Sequence, residues 1–337
     1  MPRRSQPGPR PRPPLCLALR PTPLERLDVL GRPLGLDLWV KRDDLTGCAL
    51  SGNKVRKLEH LLAEARAEDA DTVLTCGAVT SNHARATALA AAGLGWRTHL
   101  LLRGRRPTRP NGNLLLDQLV GAEVTWTDRR GWVRRNERLA ALADGVRAAG
   151  GRPYVIPEGG SNAVGSLGYV DAAAELLAQA EAAGMRLGHV VHATGSGGTT
   201  AGLAWGFARL GREDVDVVGI AVCDDRATFD GVVRRILDEA VARGLASPDE
   251  VARARWRIVD AWKGVGYAQV TAEEIAEHRE VARTTGLIVD PVYTGKALRG
   301  LRQEARAGRL GERGDVVFLH TGGLFGWFQM PEVLGAS

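Results

Sequence analysis

Short apolar runs rich in Val, Leu and Ile alternate with longer helical patterns from about residue 37 to the C-terminal region. Runs at 38–40, 72–75, 98–102, 123–126, 153–156, 189–193, 215–222 and 315–320 read as strands. Helical patterns fill 54–68, 82–93, 113–120, 130–149, 164–183, 199–210, 227–243, 271–285 and 296–307. Strands that alternate with helices pair in parallel, because each return to the sheet needs a crossover, and the crossover helices cover both faces. Ligands of such sheets bind beyond the carboxyl ends of the strands. Distinctive residues just after a strand are therefore the ones to weigh. No internal repeat of solenoid length interrupts the pattern.

The 337 residues suit about two domains. The formal charge of +6 does not imply a nucleic-acid surface, since Arg3, Arg4, Arg10 and Arg12 supply four charges and leave the body near +2. Arg3-Arg4 resembles a twin-arginine signal, but Pro-rich sequence without an apolar core follows, and 1–13 reads as a disordered tail. No apolar run approaches the roughly 20 residues of a membrane helix. Cys16, Cys48, Cys76 and Cys223 form no C-x-x-C pair, which suits reduced thiols in a cytoplasmic protein. Cys48 and Cys76 adjoin the motifs below and are candidates to line a site. The seven histidines show no ligand spacing, so no metal is expected.

Five motifs follow strands or open helices. Lys41-Arg42-Asp43-Asp44-Leu45-Thr46-Gly47 precedes Ser51-Gly52-Asn53-Lys54, and Lys54 begins a helix. The positive end of the helix dipole lowers an ammonium pKa, as a Schiff-base lysine requires. Alone, such a lysine reads equally as a solvated helix-start charge. In Thr75 to His83, Ser81 or Asn82 is either an ordinary N-cap or a partner for a cofactor hydroxyl and the substrate. Thr194-Gly195-Ser196-Gly197-Gly198-Thr199-Thr200 is a glycine loop opening a helix, suited to a single phosphate monoester. It lacks the Gly-Lys-Ser/Thr of a P-loop and fits a dinucleotide fingerprint poorly, although Asp224 and Asp225 follow the next strand. Asp290-Pro291-Val292-Tyr293-Thr294-Gly295-Lys296 places Tyr293 at a helix start, and Thr321 ends the last strand where a hydroxyl suits a ring nitrogen. Tyr267 lies on a glycine loop. An amine, a phosphate cradle and partners for a ring hydroxyl and ring nitrogen make the inventory for pyridoxal 5′-phosphate.

These motifs, in this order, resemble the D-cysteine desulfhydrase / 1-aminocyclopropane-1-carboxylate deaminase family over roughly residues 15–330. The resemblance implies an α/β chain of the tryptophan-synthase-β-like class (fold type II of pyridoxal-phosphate enzymes), with two open parallel-sheet domains and the active site in the cleft between them. Residues 14–53 and 162–337 would form the large domain and 54–161 the small one inserted into it. Lys54 would hold the cofactor covalently and Asn82 would bond its 3′-oxygen. Ser196, Gly197, Gly198 and Thr199 would hold the phosphate, with Gly195 and Thr200 close by. Thr294 and Thr321 are the candidates for the ring nitrogen. Ser81, Asn82 and His83 would meet the substrate, and Tyr267 and Tyr293 match the family's two active-site tyrosines. Catalysis would fall to Lys54, Ser81, Tyr267 and Tyr293. Family members are commonly homodimers.

Deaminase-like members carry Tyr-Glu-Gly-Lys where this chain has Tyr293-Thr294-Gly295-Lys296, and Lys-Arg-Glu-Asp where it has Lys41-Arg42-Asp43-Asp44. A hydroxyl in place of a carboxylate gives a weaker electron sink, which favours elimination at Cβ. Ser51 stands where glycine is frequent. The expected activity is conversion of D-cysteine, or a related β-substituted amino acid, to pyruvate, ammonia and sulfide. The alternatives are aminocyclopropane-carboxylate deamination, β-replacement or specialised metabolism, and cofactor binding without turnover.

Overall fold

A computed structural model describes residues 12–330. The expected tail at 1–13 lies outside the described residues except for residues 12 and 13, which have no regular structure and are exposed. The described strands are β1 Leu24–Arg26, β2 Leu38–Lys41, β3 Thr72–Ala78, β4 Arg97–Arg103, β5 Glu123–Thr127, β6 Pro153–Val155, β7 Leu187–Thr194, β8 Asp216–Ala221, β9 Arg257–Val259 and β10 Asp315–Leu319. They form two sheets, a six-stranded one in the order β1-β2-β10-β7-β8-β9 and a four-stranded one in the order β5-β4-β3-β6. All pairings are parallel except β1 with β2, a short antiparallel edge the alternation does not announce.

Helices α1 Asp28–Gly31, α2 Lys54–Ala67, α3 Asn82–Gly93, α4 Gly112–Leu119, α5 Arg129–Val133, α6 Arg135–Ala148, α7 Ala163–Ala182, α8 Gly198–Arg209, α9 Arg226–Ala242, α10 Pro248–Arg253, α11 Ala272–Thr285 and α12 Thr294–Arg306 complete the order. The side-chain period of a strand is two, so neighbours face opposite layers. Val191, Val218, Ile220 and Phe318 accordingly pack against Ala297, Leu298 and Leu301 of α12. Val190, Val217 and Val317 pack on the other face against Tyr169 of α7 and Leu203 of α8. The smaller sheet is covered likewise, with Val73 against Leu58 and Leu62 of α2, and Leu74 and Leu101 against Leu139 of α6.

The expected helix over 130–149 is two helices. Asp128 caps the first through the Gly131 N–H at 2.8 Å, and the chain turns at Arg134 (φ −98°, ψ 23°). Helix α6 is then tied to the end of β5 by Arg138 Nη1, which donates to Thr127 Oγ1 at 2.5 Å. The break swings α5 over the end of the small sheet. No Gly or Pro stands at Arg134 to mark the break, which is why the sequence pattern hides it.

Candidate active site

The carboxyl ends of both sheets open on one cavity of about 540 Å³, within the usual range for small-molecule sites. Lys54 lies on its wall. Asn53 is N-terminal to α2 and holds that end in place, its N–H donating to Thr321 O at 3.1 Å and its Nδ2 to Thr199 Oγ1 at 3.2 Å. Burial pushes the Lys54 amine down to about 8, with the Glu158 charge opposing the shift.

One turn further, Lys57 is fully buried, with Nζ 3.3 Å from Gly159 O and 3.1 Å from Ser161 Oγ. It has no carboxylate partner among the described residues, and burial together with Lys54 holds it well below the ordinary lysine value. A buried cation without an anion is costly. Its neighbourhood supplies a reason: Gly197, at φ +76°, is the N-cap of α8 and has no side chain of its own to cap it, and Ser161 Oγ accepts from the Gly198 N–H alone among the helix N–H groups, at 3.3 Å. A Cβ on Gly198 would come within 2.7 Å of both Lys57 Nζ and Ser161 Oγ. Open helix N–H groups, the Lys57 amine and a backbone cradle that excludes a methyl group fit a phosphate. Lys57 was invisible in the motif reading, although its place three residues after Lys54 on one helix face was the available signal.

Gly195, Ser196, Gly197, Thr199 and Thr200 line the cavity, as do Ser81, Asn82, His83, Tyr267, Tyr293 and Thr321. Ser81 is also the N-cap of α3, accepting from the Ala84 N–H at 3.1 Å. Asn113 donates to Asn82 Oδ1 at 3.1 Å, which leaves Asn82 Nδ2 available as a donor. His83 is neutral, because burial and the two lysines hold its pKa well below the usual value. Thr75 Oγ1 donates to Ile156 O at 2.9 Å and so accepts from His83 Nε2 at 2.9 Å. His83 Nδ1 is consequently a bare, buried acceptor. The Tyr267 and Tyr293 hydroxyls lie 2.7 Å apart with their rings edge to face. Burial raises both pKa values and keeps both phenols protonated.

Three expectations change. Thr294 does not reach the cavity wall: its Oγ1 donates to Asp290 Oδ1 at 2.7 Å and accepts from the Asp290 N–H at 2.6 Å. Asp290 also accepts from the backbone N–H groups of Val292, Tyr293 and Thr294, so the motif builds the turn that presents Tyr293. Thr321 is the threonine of the pair that faces the cavity. Gly198 is not on the wall itself; it supports the cradle from behind. Cys48 and Cys76 do not line the cavity, whereas Cys223 does. Arg103, Arg129, Trp132, Arg135 and Glu158 also line it. No motif announced them; α5 brings Arg129 and Trp132 there, and Arg135 opens α6 just after the break.

A two-sheet cleft with a depressed lysine beside an anion cradle defines an α/β enzyme that holds a phosphate-bearing aldehyde cofactor over an amine. Comparison with known proteins points the same way. The family described as pyridoxal-phosphate dependent enzyme matches residues 15–322. The bifunctional mitochondrial D-cysteine desulfhydrase/1-aminocyclopropane-1-carboxylate deaminase of Arabidopsis thaliana is 42% identical, over 95% of this chain and 81% of that protein. A D-cysteine desulfhydrase of Yersinia pestis (strain Pestoides F) is 41% identical, over 92% of this chain and 94% of that one. The crystal structure of a homologue of ACC (1-aminocyclopropane-1-carboxylate) deaminase superposes with a TM-score of 0.85 at 38% identity, covering 96% of each chain. The chain belongs to the pyridoxal-phosphate dependent enzymes and, within them, to the D-cysteine desulfhydrase / 1-aminocyclopropane-1-carboxylate deaminase family. Its cofactor is pyridoxal 5′-phosphate. Among the described residues, no helix is long and apolar enough to cross a membrane, and no group of three or more His, Cys, Asp or Glu is placed to hold a metal.

Proposed function

We propose that the enzyme catalyses α,β-elimination of a small β-substituted amino acid, with D-cysteine as the reference substrate giving pyruvate, ammonia and sulfide. The observation that carries this reading is the protonated phenol pair of Tyr267 and Tyr293 in the same cavity as the depressed Lys54 amine. Lys54 would anchor the cofactor, Asn82 would offer its Nδ2 to the ring oxygen and Thr321 would offer its hydroxyl to the ring nitrogen. Ser196, Gly197, Thr199 and Lys57 hold the phosphate, with Gly198 keeping space open behind them. When bound, the cofactor supplies a sink for the electron pair released at Cα. Ser81 and the α3 N-terminus take the substrate carboxylate, and His83 packs beside it. Lys54 Nζ takes the Cα proton. The Cβ–S bond breaks with its electron pair on sulfur, and the phenol pair returns a proton to the departing thiolate. Water completes the release of pyruvate and ammonia.

A second reading, deamination of 1-aminocyclopropane-1-carboxylate, is supported by the 38% identity to the deaminase homologue. An amino-acid panel in both enantiomers separates the two: pyruvate and sulfide from D-cysteine are expected, and 2-oxobutyrate from the cyclopropane acid as the main product would replace the first reading with the second. Bound cofactor without ketoacid from any substrate would remove both. The reading includes a cytoplasmic homodimer. Four unpaired thiols suit a reducing compartment, and exposed Leu115 and Leu119 of α4, with Leu324 and Phe328 on the turn packed against it, suit burial by a second copy. Sedimentation at micromolar protein reads the oligomer.

A further inference from the structure

On the reading above, two anions already have places in the cleft: the cofactor phosphate at the α8 end and the substrate carboxylate at the α3 end. Cationic side chains on another part of the wall are left over. Arg103 ends β4, and its guanidinium lies 5.1 Å from the Trp132 ring centroid and 5.5 Å from that of Tyr267. Two aromatic rings therefore fix the position of the group, while no carboxylate or carbonyl among the described residues takes its N–H donors. Arg129 opens α5, also faces the cavity, and its side chain is likewise unpaired among the described residues.

The acids of this wall do not match these charges. Glu158 pairs with Arg135 at 3.0 Å and is shared electrostatically with Arg103 and Lys54, while Arg135 stacks on Trp132 at 5.3 Å. Asp224 accepts from the Cys223 thiol at 3.2 Å. Three arginines thus face two carboxylates, and among the described residues the guanidinium donors of both Arg103 and Arg129 are open, with Arg103 the one held in place by aromatic rings. Its position follows from the phenol pair: it lies against the ring of Tyr267, whose hydroxyl is 2.7 Å from that of Tyr293. A group bound there sits beyond the leaving atom of a substrate whose departing sulfur is protonated by those phenols.

We propose that Arg103, with Arg129 at the rim, recognises an oxyanion at the far end of the substrate's Cβ substituent. The preferred substrates are then β-substituted amino acids whose leaving group itself bears a carboxylate, a phosphate or a comparable oxyanion. The step remains an elimination. The Cβ–heteroatom bond breaks with its electrons on the leaving atom, the phenol pair supplies one proton, and no oxidant or reductant is needed. Arg103 offsets the second charge carried by the departing group, and a planar guanidinium suits a two-oxygen anion better than an ammonium does.

A matched pair isolates the charge. S-carboxymethylcysteine and S-carbamoylmethylcysteine have nearly the same shape and differ in one anionic group. Binding is read from the shift in cofactor absorbance on titration, and turnover from pyruvate release, in both enantiomers. The wild-type holoenzyme is expected to prefer the carboxymethyl compound at least tenfold in Kd. Arg103→Gln is expected to reduce that preference at least tenfold, and Arg103→Lys to retain part of it. Equal affinity of the wild type for the two compounds overturns the proposal without recourse to any variant. An Arg103→Gln protein that weakens both compounds equally also overturns it, since a merely structural role acts on both. If neutral amino acids shift the absorbance but the charged partner has no advantage, this inference fails alone. If no amino acid shifts it, the elimination reading fails as well.

Discussion

Replacing Lys54 with alanine is expected to give a folded protein that lacks the visible absorbance of covalently held cofactor and turns over D-cysteine at least about 10³-fold more slowly. General base catalysis alone contributes about 10²–10⁴ in rate, and loss of the covalent anchor removes a further contribution. The phosphate cradle does not include Lys54, so the variant should still bind pyridoxal phosphate reversibly, as read by equilibrium dialysis. A yellow, active Lys54→Ala protein would dismiss the site described above. The same residue predicts a pH dependence. The attacking species is the neutral amine, and the Lys54 amine sits at about 8 because burial disfavours its charge. Reloading of stripped protein should therefore quicken as pH rises and level off above about 8, rather than continuing toward the ordinary lysine value of about 10.4. Glu158 pulls the Lys54 value upward. Glu158→Gln removes that pull, so the midpoint should move to lower pH. An upward move would show that Glu158 does not act on the amine.

Much of this site was legible because glycine and hydroxyl residues follow strands, where parallel sheets gather ligands. Lys54, Asn82, the loop from Gly195 to Thr199 and the two tyrosines all came to one cavity from motifs far apart in the chain. Other features are set by tertiary geometry. Thr294 has the sequence context of a cofactor partner, but a carboxylate four residues earlier captures both its N–H and its hydroxyl. Thr294 therefore spends its hydroxyl on Asp290 and does not tune the electron sink from the cavity wall, and Thr321 remains the hydroxyl of the pair that faces the cavity. Lys57 shows the converse. Its one local signal is the three-residue spacing from Lys54, and it is buried by the approach of α2 to α7 together with Gly159, Ser161 and Gly198 around the amine. That approach depends on Gly168, where a Cβ would stand 2.2 Å from Arg56 O. The arginine and tryptophan wall was hidden for a third reason: the turn at Arg134 that separates α5 from α6 has no Gly or Pro to mark it.

The motif Lys41-Arg42-Asp43-Asp44 resembles active-site sequence, yet Asp43 is expected to act through stability. It is completely buried and accepts four hydrogen bonds from three side chains. Arg56 Nε and Nη2 reach its two oxygens at 2.8 Å each, Thr22 Oγ1 donates at 2.8 Å and the Tyr169 hydroxyl at 2.7 Å. Glu175 binds the other side of Arg56 at 2.8 and 3.0 Å and holds Lys41 at 2.5 Å. Burial alone would raise the Asp43 pKa, but the Arg56 charge and the hydrogen bonds outweigh it and hold the carboxyl below its usual range. Its contribution is therefore present above the unfolded carboxylate value of about 3.9 and is lost as pH falls through the lower folded value. Asp43→Ala leaves the Arg56 guanidinium buried with one of its two carboxylate partners, and breaking a buried pair in this way costs about 3–5 kcal/mol. Arg56 is two residues beyond Lys54 on the same helix, so the loss should also weaken cofactor retention. The denaturation midpoint of the holoenzyme should fall steeply in Asp43→Ala and by less in Asp43→Asn, which keeps the shape and one acceptor. Asp28→Ala, an exposed partner of Arg26, should leave it unmoved. If Asp43→Ala kept the wild-type midpoint but lost turnover, the motif would have to be reassigned from the scaffold to the chemistry.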